Sequence, residues 1–271
     1  MHNKSQKSNL KSQNFLEKIV KIKKEELFWK AQTVQKVSES KNQQIGKSET
    51  RFLKALQKEK DKLKVIAEIK FASPTILDLG SPGDLIRCAK QYEMAGADAI
   101  SLITERHFFK GDIEFVSQVK ETVSLPILQK DFIIDPVQIY DAKQVGTDAL
   151  LLIARLVDKQ QLKKFVSLCF SLGIEPVVEI YNEEDLEKAI TTKTNIIAVN
   201  ARNLETFEIN VTGACMLIKK IPNHIIKLGF SGITSQKEAE LYKNSGADGI
   251  LVGTSLMQAN DIKSFINDLQ I

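Results

Sequence analysis

The sequence predicts an α/β protein built as a (β/α)8 TIM barrel with an N-terminal helical extension. Three observations predict it. Short β-rich apolar runs recur eight times from residue 65 onward, amphipathic stretches separate them, and a small echo returns about every 50 residues. Strands alternating with helices imply a parallel sheet with helical crossovers. Eight units in about 207 residues leave roughly 26 residues for each, which suits such a barrel.

The extension is assigned to residues 1–64 and the catalytic barrel to residues 65–271. Residues 1–64 carry 17 Lys and Arg against 7 Asp and Glu, whereas the remainder carries 21 against 27. Within the extension, Phe15, Leu16, Ile19, Val20, Ile22, Leu27 and Phe28 recur at helical spacing, so this basic segment reads as an amphipathic helix laid on a larger body. A nucleic-acid arm is the competing reading. It lacks a stacking platform of interleaved aromatic residues, and no nucleic-acid partner is expected.

The eight runs are Val65–Ile69, Ala99–Ile103, Pro126–Leu128, Ala149–Ile153, Pro176–Ile180, Ile196–Val199, Ile225–Phe230 and Gly249–Val252. Helical spacing between them is clearest over Leu85–Met94, Ile113–Thr122, Gln160–Leu172, Glu183–Ile190 and Ser235–Ser245. The echo reads Ala-Gly-Ala-Asp-Ala-Ile at 95–100, Val-Gly-Thr-Asp-Ala-Leu at 145–150 and Ser-Gly-Ala-Asp-Gly-Ile at 245–250, with a weaker copy, Thr-Lys-Thr-Asn-Ile-Ile, at 192–197. Each copy closes a helix and opens a strand. Its Gly is a helix stop, and Asp98, Asp148 and Asp248 are expected to cap the turn as structural residues. A doubly wound open sheet is the runner-up, but no Gly-rich dinucleotide fingerprint follows the first strand.

Composition narrows the function classes. With 43% hydrophobic and 27% charged residues the 271-residue chain is ordinary globular protein. Its apolar runs fall far short of a membrane span, and no apolar signal core follows Met1, so no membrane partner is expected. Cys88, Cys169 and Cys215 are odd in number and widely spaced, which predicts reduced thiols and a cytoplasmic location. His2, His107 and His224 are scattered, so no metal site is expected.

Charged residues stand where a core needs apolar ones. Placing Val65, Ala67 and Ile69 against helices aims Glu68 and Lys70 into the barrel at the strand's C-terminal end. An unpaired buried charge costs several kcal/mol, roughly, so these groups need partners or a ligand. A structural ion pair explains one such case. Lys130, Glu179, Asn200 and Arg202 repeat the placement at further strand ends, and all converge on the mouth where barrel enzymes keep their chemistry. Two carboxylates and two lysines there can divide acid and base work. After the last two strands come Ser231-Gly232 and Gly253-Thr254, whose exposed N–H groups suit a phosphate. Ordinary Gly turns are the plain alternative.

These residues resemble the indole-3-glycerol-phosphate synthase family. The matching segments are Val-Ile-Ala-Glu-Ile-Lys (65–70), Ala-Ser-Pro (72–74), Phe-Phe-Lys-Gly (108–111) and Gln-Lys-Asp-Phe-Ile-Ile-Asp-Pro-Val-Gln-Ile-Tyr (129–140). Val-Glu-Ile (178–180), Val-Asn-Ala-Arg-Asn-Leu (199–204), Ser-Gly-Ile (231–233) and Val-Gly-Thr-Ser-Leu-Met (252–257) continue the likeness, which begins near residue 14 with Leu-Glu-Lys-Ile-Val (16–20).

The resemblance implies a cofactor-free lyase of tryptophan biosynthesis that converts 1-(2-carboxyphenylamino)-1-deoxyribulose 5-phosphate, a small sugar-phosphate substrate, to indole-3-glycerol phosphate, carbon dioxide and water. Other enzymes of that pathway are possible partners. It implies Lys130 as the acid that polarises the ketone, and leaves later acid and base steps open among Glu179, Glu68 and Lys70. Lys70 alternatively steers the substrate carboxylate. Asn200 and Ser231 are implied to hold sugar hydroxyls and intermediates, and Arg202 to anchor charge near the anthranilate. Phe109, Phe132, Leu151 and Leu204 are implied to line the anthranilate pocket, and Ser73, Gly232, Gly253 and Thr254 to cradle the phosphate.

The chain departs from the family pattern at three places. Phe230 stands where Glu is usual, Phe71 replaces a frequent Lys or Arg, and the loop Ser-Pro-Thr-Ile-Leu-Asp-Leu-Gly (73–80) lacks the common Ser-Lys-Gly. These departures leave the proposed acid and base residues intact. They keep open the alternative of a related phosphate-binding barrel acting on another sugar phosphate.

Overall fold

A computed structural model describes residues 15–33, 49–57 and 62–271. The rest of the segment assigned to the extension, including Met1–Gln13, lies outside the described residues. Eight parallel strands close into a barrel in sequence order: β1 (Lys64–Ile69), β2 (Ala99–Ile103), β3 (Ile127–Lys130), β4 (Ala149–Ile153), β5 (Glu175–Ile180), β6 (Ile196–Asn200), β7 (Ile226–Phe230) and β8 (Gly249–Val252). Helices α1 (Phe15–Thr33) and α2 (Arg51–Ala55) precede the barrel. Around it run α3 (Leu85–Met94), α4 (Arg106–Phe109), α5 (Phe115–Lys120), α6 (Pro136–Gln144), α7 (Lys159–Ser171), α8 (Glu183–Ile190), α9 (Val211–Ile218), α10 (Gln236–Asn244), α11 (Thr254–Met257) and α12 (Ile262–Leu269).

All eight expected strands are present, three with the expected ends and the others with ends shifted by one or two residues. The third differs most: it begins after Pro126, which has no N–H to donate, and continues to Lys130. Helices α6, α9 and α12 were not among the expected stretches. The start signals of α6 are written in the sequence. Asp135 accepts from Val137 N–H at 2.9 Å, Pro136 occupies the first helical position, and Gln138 reaches back to Asp135 N–H.

Strand parity sorts two cores. Val65, Ala67 and Ile69 pack outward in the layer shared with the helices, while Ile66 points into the barrel with Leu128, Leu151, Val177 and Ala198. Register then sets the height of each inward side chain. Glu68 pairs with Ser101, and Ser101 with Leu128, so the β3 side chain level with Glu68 is two residues on, at Lys130. Leu128 leads through Ala149 to Glu175, which by the same climb sets Lys130 level with Glu179. Glu179 leads through Ala198 to Leu228, so Phe230 completes the ring, and Phe230 leads through Leu251 to Ile66, two short of Glu68. Four climbs of two give the stagger of eight that an eight-stranded barrel requires. Glu68, Lys130, Glu179 and Phe230 therefore form a single layer just under the C-terminal mouth.

The echo does its work at the opposite end. Asp98, Asp148 and Asp248 do not cap their own turns. Each accepts an N–H within the first two residues of the preceding strand: Val65 at 2.8 Å, Ile127 at 3.0 Å and Lys227 at 2.8 Å. In the weaker copy, Asn195 donates instead to Glu175 Oε1 on β5 at 3.0 Å. The turn before each acid is left-handed, with φ of 87°, 81° and 91° at Gly96, Gly146 and Gly246, and Lys193 takes the same conformation in the fourth copy at 61°.

The described parts of the extension contact both ends of the barrel. Phe52 and Leu56, fully buried at and just after α2, join the interior cluster, and Thr50 donates to Glu175 at the first residue of β5. Burying a side chain such as Phe52 contributes about 2–3 kcal/mol. Phe15 and Ile19 of α1 join the same cluster from the mouth, where Phe15 meets Phe108, Phe132 and Phe207 edge-on at 5.1–6.2 Å between ring centres. No described helix is long and apolar enough to cross a membrane.

Candidate active site

The C-terminal mouth holds a cavity of about 300 Å3, a size that suits a small ligand. Glu68, Lys70, Lys130, Asn200, Arg202 and Ser231 all line it. Inward strand parity delivers Glu68, Lys70, Lys130 and Asn200, and the segments after β6 and β7 deliver Arg202 and Ser231.

Glu68 sits between two ammonium groups. Lys70 Nζ lies 2.9 Å from Oε1 and Lys130 Nζ 3.2 Å from Oε2. Burial opposes the charge on Glu68, but Lys130 and Lys70 together overcome it and hold the carboxyl at about 2. Burial likewise opposes the charge on Lys130. Glu68 and Glu179 prevail and raise its ammonium above the usual lysine range. The ammonium also faces the Phe230 ring, 5.3 Å from its centre.

Glu179 behaves differently. Burial pushes its carboxyl up, only partly offset by Lys130, Asn200 and Arg155. Asn200 Nδ2 donates to Oε1 at 3.2 Å, while the buried Oε2 has no hydrogen-bond partner among the described residues. A relay runs outward from it: Ser231 Oγ donates to Asn200 Oδ1 at 2.8 Å, and the same oxygen accepts Arg202 N–H at 3.0 Å. Ser231 is held at φ 69°, a left-handed position unusual for a residue with a side chain, while Tyr242 donates to its carbonyl at 2.9 Å. Two carboxylates thus share one mouth in opposite states, one fixed as an anion and one with a raised proton affinity.

The apolar residues also converge. Phe109, Phe132, Leu151 and Leu204 line one recess beside Lys130 and Glu179. Arg202 is not on that recess. It stands in the open mouth, donating from Nη1 to Phe207 O at 3.1 Å, because the loop after β6 turns back there through the Arg202–Ile209 bridge.

Ser73, Gly232, Gly253 and Thr254 border the main cavity and do not line the recess. Gly232 has φ 73°, and Gly253 precedes the first turn of α11. Gly253 also has a steric duty, since a Cβ there would overlap Glu68 Oε1 and crowd Lys70 Nζ. Of the sequence departures, Phe71 points away from the mouth and stacks edge-on against Phe115 at 5.9 Å.

Three contributors were not among the expected site residues. Phe15 and Phe207 line the mouth, and Arg155, paired with Asp185 at 3.5 Å and stacked on Tyr181, acts electrostatically on Glu179. Phe15 belongs to the apolar stripe of the extension, but periodicity shows only that a face is buried, not what it is buried against.

Comparison with known proteins gives a consistent result. A family model described as indole-3-glycerol phosphate synthase matches residues 16–269. The indole-3-glycerol phosphate synthase of Lactococcus lactis subsp. cremoris (strain MG1363) is 39% identical over 265 residues, covering 97% of this chain and 97% of that protein. The Sulfurimonas denitrificans protein of the same name is 41% identical over 210 residues, covering 78% of this chain and 80% of its own length. Among solved structures, 3-hexulose-6-phosphate synthase from Salmonella typhimurium superposes with a TM-score of 0.64 at 13% identity, covering 76% of this chain and 96% of that one, a likeness of fold alone.

Proposed function

The chain belongs to the indole-3-glycerol phosphate synthase family, and on that premise we propose that its barrel mouth converts 1-(2-carboxyphenylamino)-1-deoxyribulose 5-phosphate to indole-3-glycerol phosphate, carbon dioxide and water. It is a carboxy-lyase of tryptophan biosynthesis. The observation that carries the reading is the layer in which Lys130 lies between the ionised Glu68 and the half-partnered Glu179, flanked by an apolar recess and a small-residue loop pair.

The roles follow from environment. The aromatic ring occupies the recess of Phe109, Phe132, Leu151 and Leu204, and the phosphate lies against Ser73, Gly232, Gly253 and Thr254. The ring carbon bearing the carboxylate attacks the ketone carbon while Lys130 donates a proton to the ketone oxygen. Glu68 keeps that ammonium charged and aimed. Carbon dioxide then leaves and restores the aromatic ring. In the last step the new hydroxyl departs as water with a proton from the ammonium of Lys70, and a proton leaves the nascent five-membered ring. Glu179 is the base for that proton, because its raised proton affinity and free Oε2 suit acceptance. Lys70 steers the substrate carboxylate, Asn200 and Ser231 hold the sugar hydroxyls, and Arg202 adds positive charge in the open mouth.

A cytoplasmic location and encounters with other enzymes of tryptophan biosynthesis belong to the same reading. The deciding experiment is a fluorescence assay for indole-3-glycerol phosphate with the purified protein. Turnover is the expected result, and its absence at saturating substrate overturns the proposal.

A further inference from the structure

We infer that Lys23, on the outer helix α1, is a positioning residue for Lys130 and Phe132, acting through Asp131. The inference rests on the proposed reading of the mouth as the reaction site. Lys23 lies outside the cavity that holds the acid and base groups. Its ammonium is 2.9 Å from Asp131 Oδ1, with both side chains nearly buried at 6% and 10% exposure. Asp131 follows Lys130 directly in the chain, and its two oxygens are fully engaged. Oδ1 also accepts Phe132 N–H at 2.8 Å, and Oδ2 accepts Thr104 Oγ1 at 2.7 Å. Thr104 N–H in turn donates to Lys130 O at 3.0 Å. One carboxylate therefore sets the backbone on both sides of the turn that aims an ammonium one way and an aromatic wall the other.

Lys23 is the cation that fixes this carboxylate. Burial opposes its charge, but Asp131 and Glu26 outweigh that and keep it protonated. Glu26, 3.2 Å from Lys23, also contacts His107 at 2.8 Å, in the short helix α4 that carries Phe108 and Phe109. Helix α1 thus holds both α4, which bears Phe109, and the end of β3, which bears Lys130 and leads to Phe132, and its own Phe15 lies on the mouth. A buried ion pair is a poor source of net stability compared with a well-packed apolar side chain, whereas it defines orientation closely. Misplacement by an ångström is enough to cost a large factor in rate.

The test is a double-mutant cycle with Lys23→Met and Asp131→Asn, read by steady-state kinetics and by hydrogen exchange at the Phe132 amide. Lys23→Met should lower kcat about tenfold with KM changed less than about threefold. Because it leaves Asp131 buried without its cation, Lys23→Met should also lower the thermal midpoint, the double variant should recover most of that loss, and Lys23→Arg should restore most of kcat. The double variant should be no slower than the slower single variant. Without substrate, Lys23→Met should accelerate exchange of the Phe132 amide at least about tenfold. Unchanged exchange overturns the inference even if the wild-type protein proves inactive, an outcome that separately removes the reading of the mouth. A kcat within about twofold of wild type, or losses that multiply in the double variant, overturns it as well.

Discussion

Gly253 lies so close to Glu68 that a β-carbon on the glycine would overlap the carboxylate oxygen that receives Lys70. The glycine after β8 is thus tied sterically to the carboxylate of β1, its neighbour in the closed sheet. Gly253→Ala should force the Glu68–Lys70 pair apart. Overpacking of this kind costs about 1–3 kcal/mol. The expected result is a folded protein with kcat/KM reduced at least about tenfold, checked by circular dichroism and steady-state kinetics.

Lys130→Ala should lower turnover by at least about 100-fold, the usual scale for loss of a general acid. The fluorescence assay checks this, and a wild-type rate in the variant removes Lys130 from its proposed role.

Glu68 links stability to pH. Its carboxyl is held at about 2 in the folded chain, below the ordinary value of 4.5. A depressed carboxylate contributes stability above its unfolded value, and that contribution is lost as pH falls toward its folded value. Between about pH 5 and pH 2 the wild type should lose roughly 3 kcal/mol more unfolding free energy than Glu68→Gln. Urea unfolding at a series of pH values measures the difference.

Glu179 has the opposite shift, and its proposed role as a base needs the ionised form. The rate should therefore rise with pH through a value above the ordinary carboxyl range, because burial holds the proton on to higher pH. Glu179→Gln should abolish that limb of the kcat/KM profile and lower the plateau at least about 100-fold.

At the other end of the barrel, Asp148→Ala should destabilise the fold without changing kcat. Its carboxylate accepts Ile127 N–H at 3.0 Å and pairs with Lys120 at 3.0 Å and Arg51 at 3.4 Å. Loss of these contacts should cost about 2–3 kcal/mol. Urea unfolding and kinetics on the same preparation separate the two effects.

Much of this was legible in the chain itself. A strand alternates its faces every residue, so a Glu and a Lys of the same parity as Ile66 were bound to enter the barrel interior once Val65, Ala67 and Ile69 faced helices. The same logic placed Lys130, Glu179 and Asn200. Three things escaped it. Helix α9 is apolar around most of its circumference (Val211, Ala214, Met216, Leu217, Ile218) and so shows little helical periodicity. The echo acids were placed at the right turns, but their partners are on the neighbouring strand, and pairing across strands is a tertiary fact. The reach of Phe15 into the mouth depends on how α1 docks, which no periodicity encodes.

The acids that latch the strand starts and the ring of groups under the mouth have no residue in common. Foldability is anchored at one rim and reactivity at the other. The side chains of the layer under the mouth can change while the far rim still latches the strand starts on which closure of the barrel depends. Such independence makes the barrel a durable chassis on which new substrate preferences arise by change at a single end.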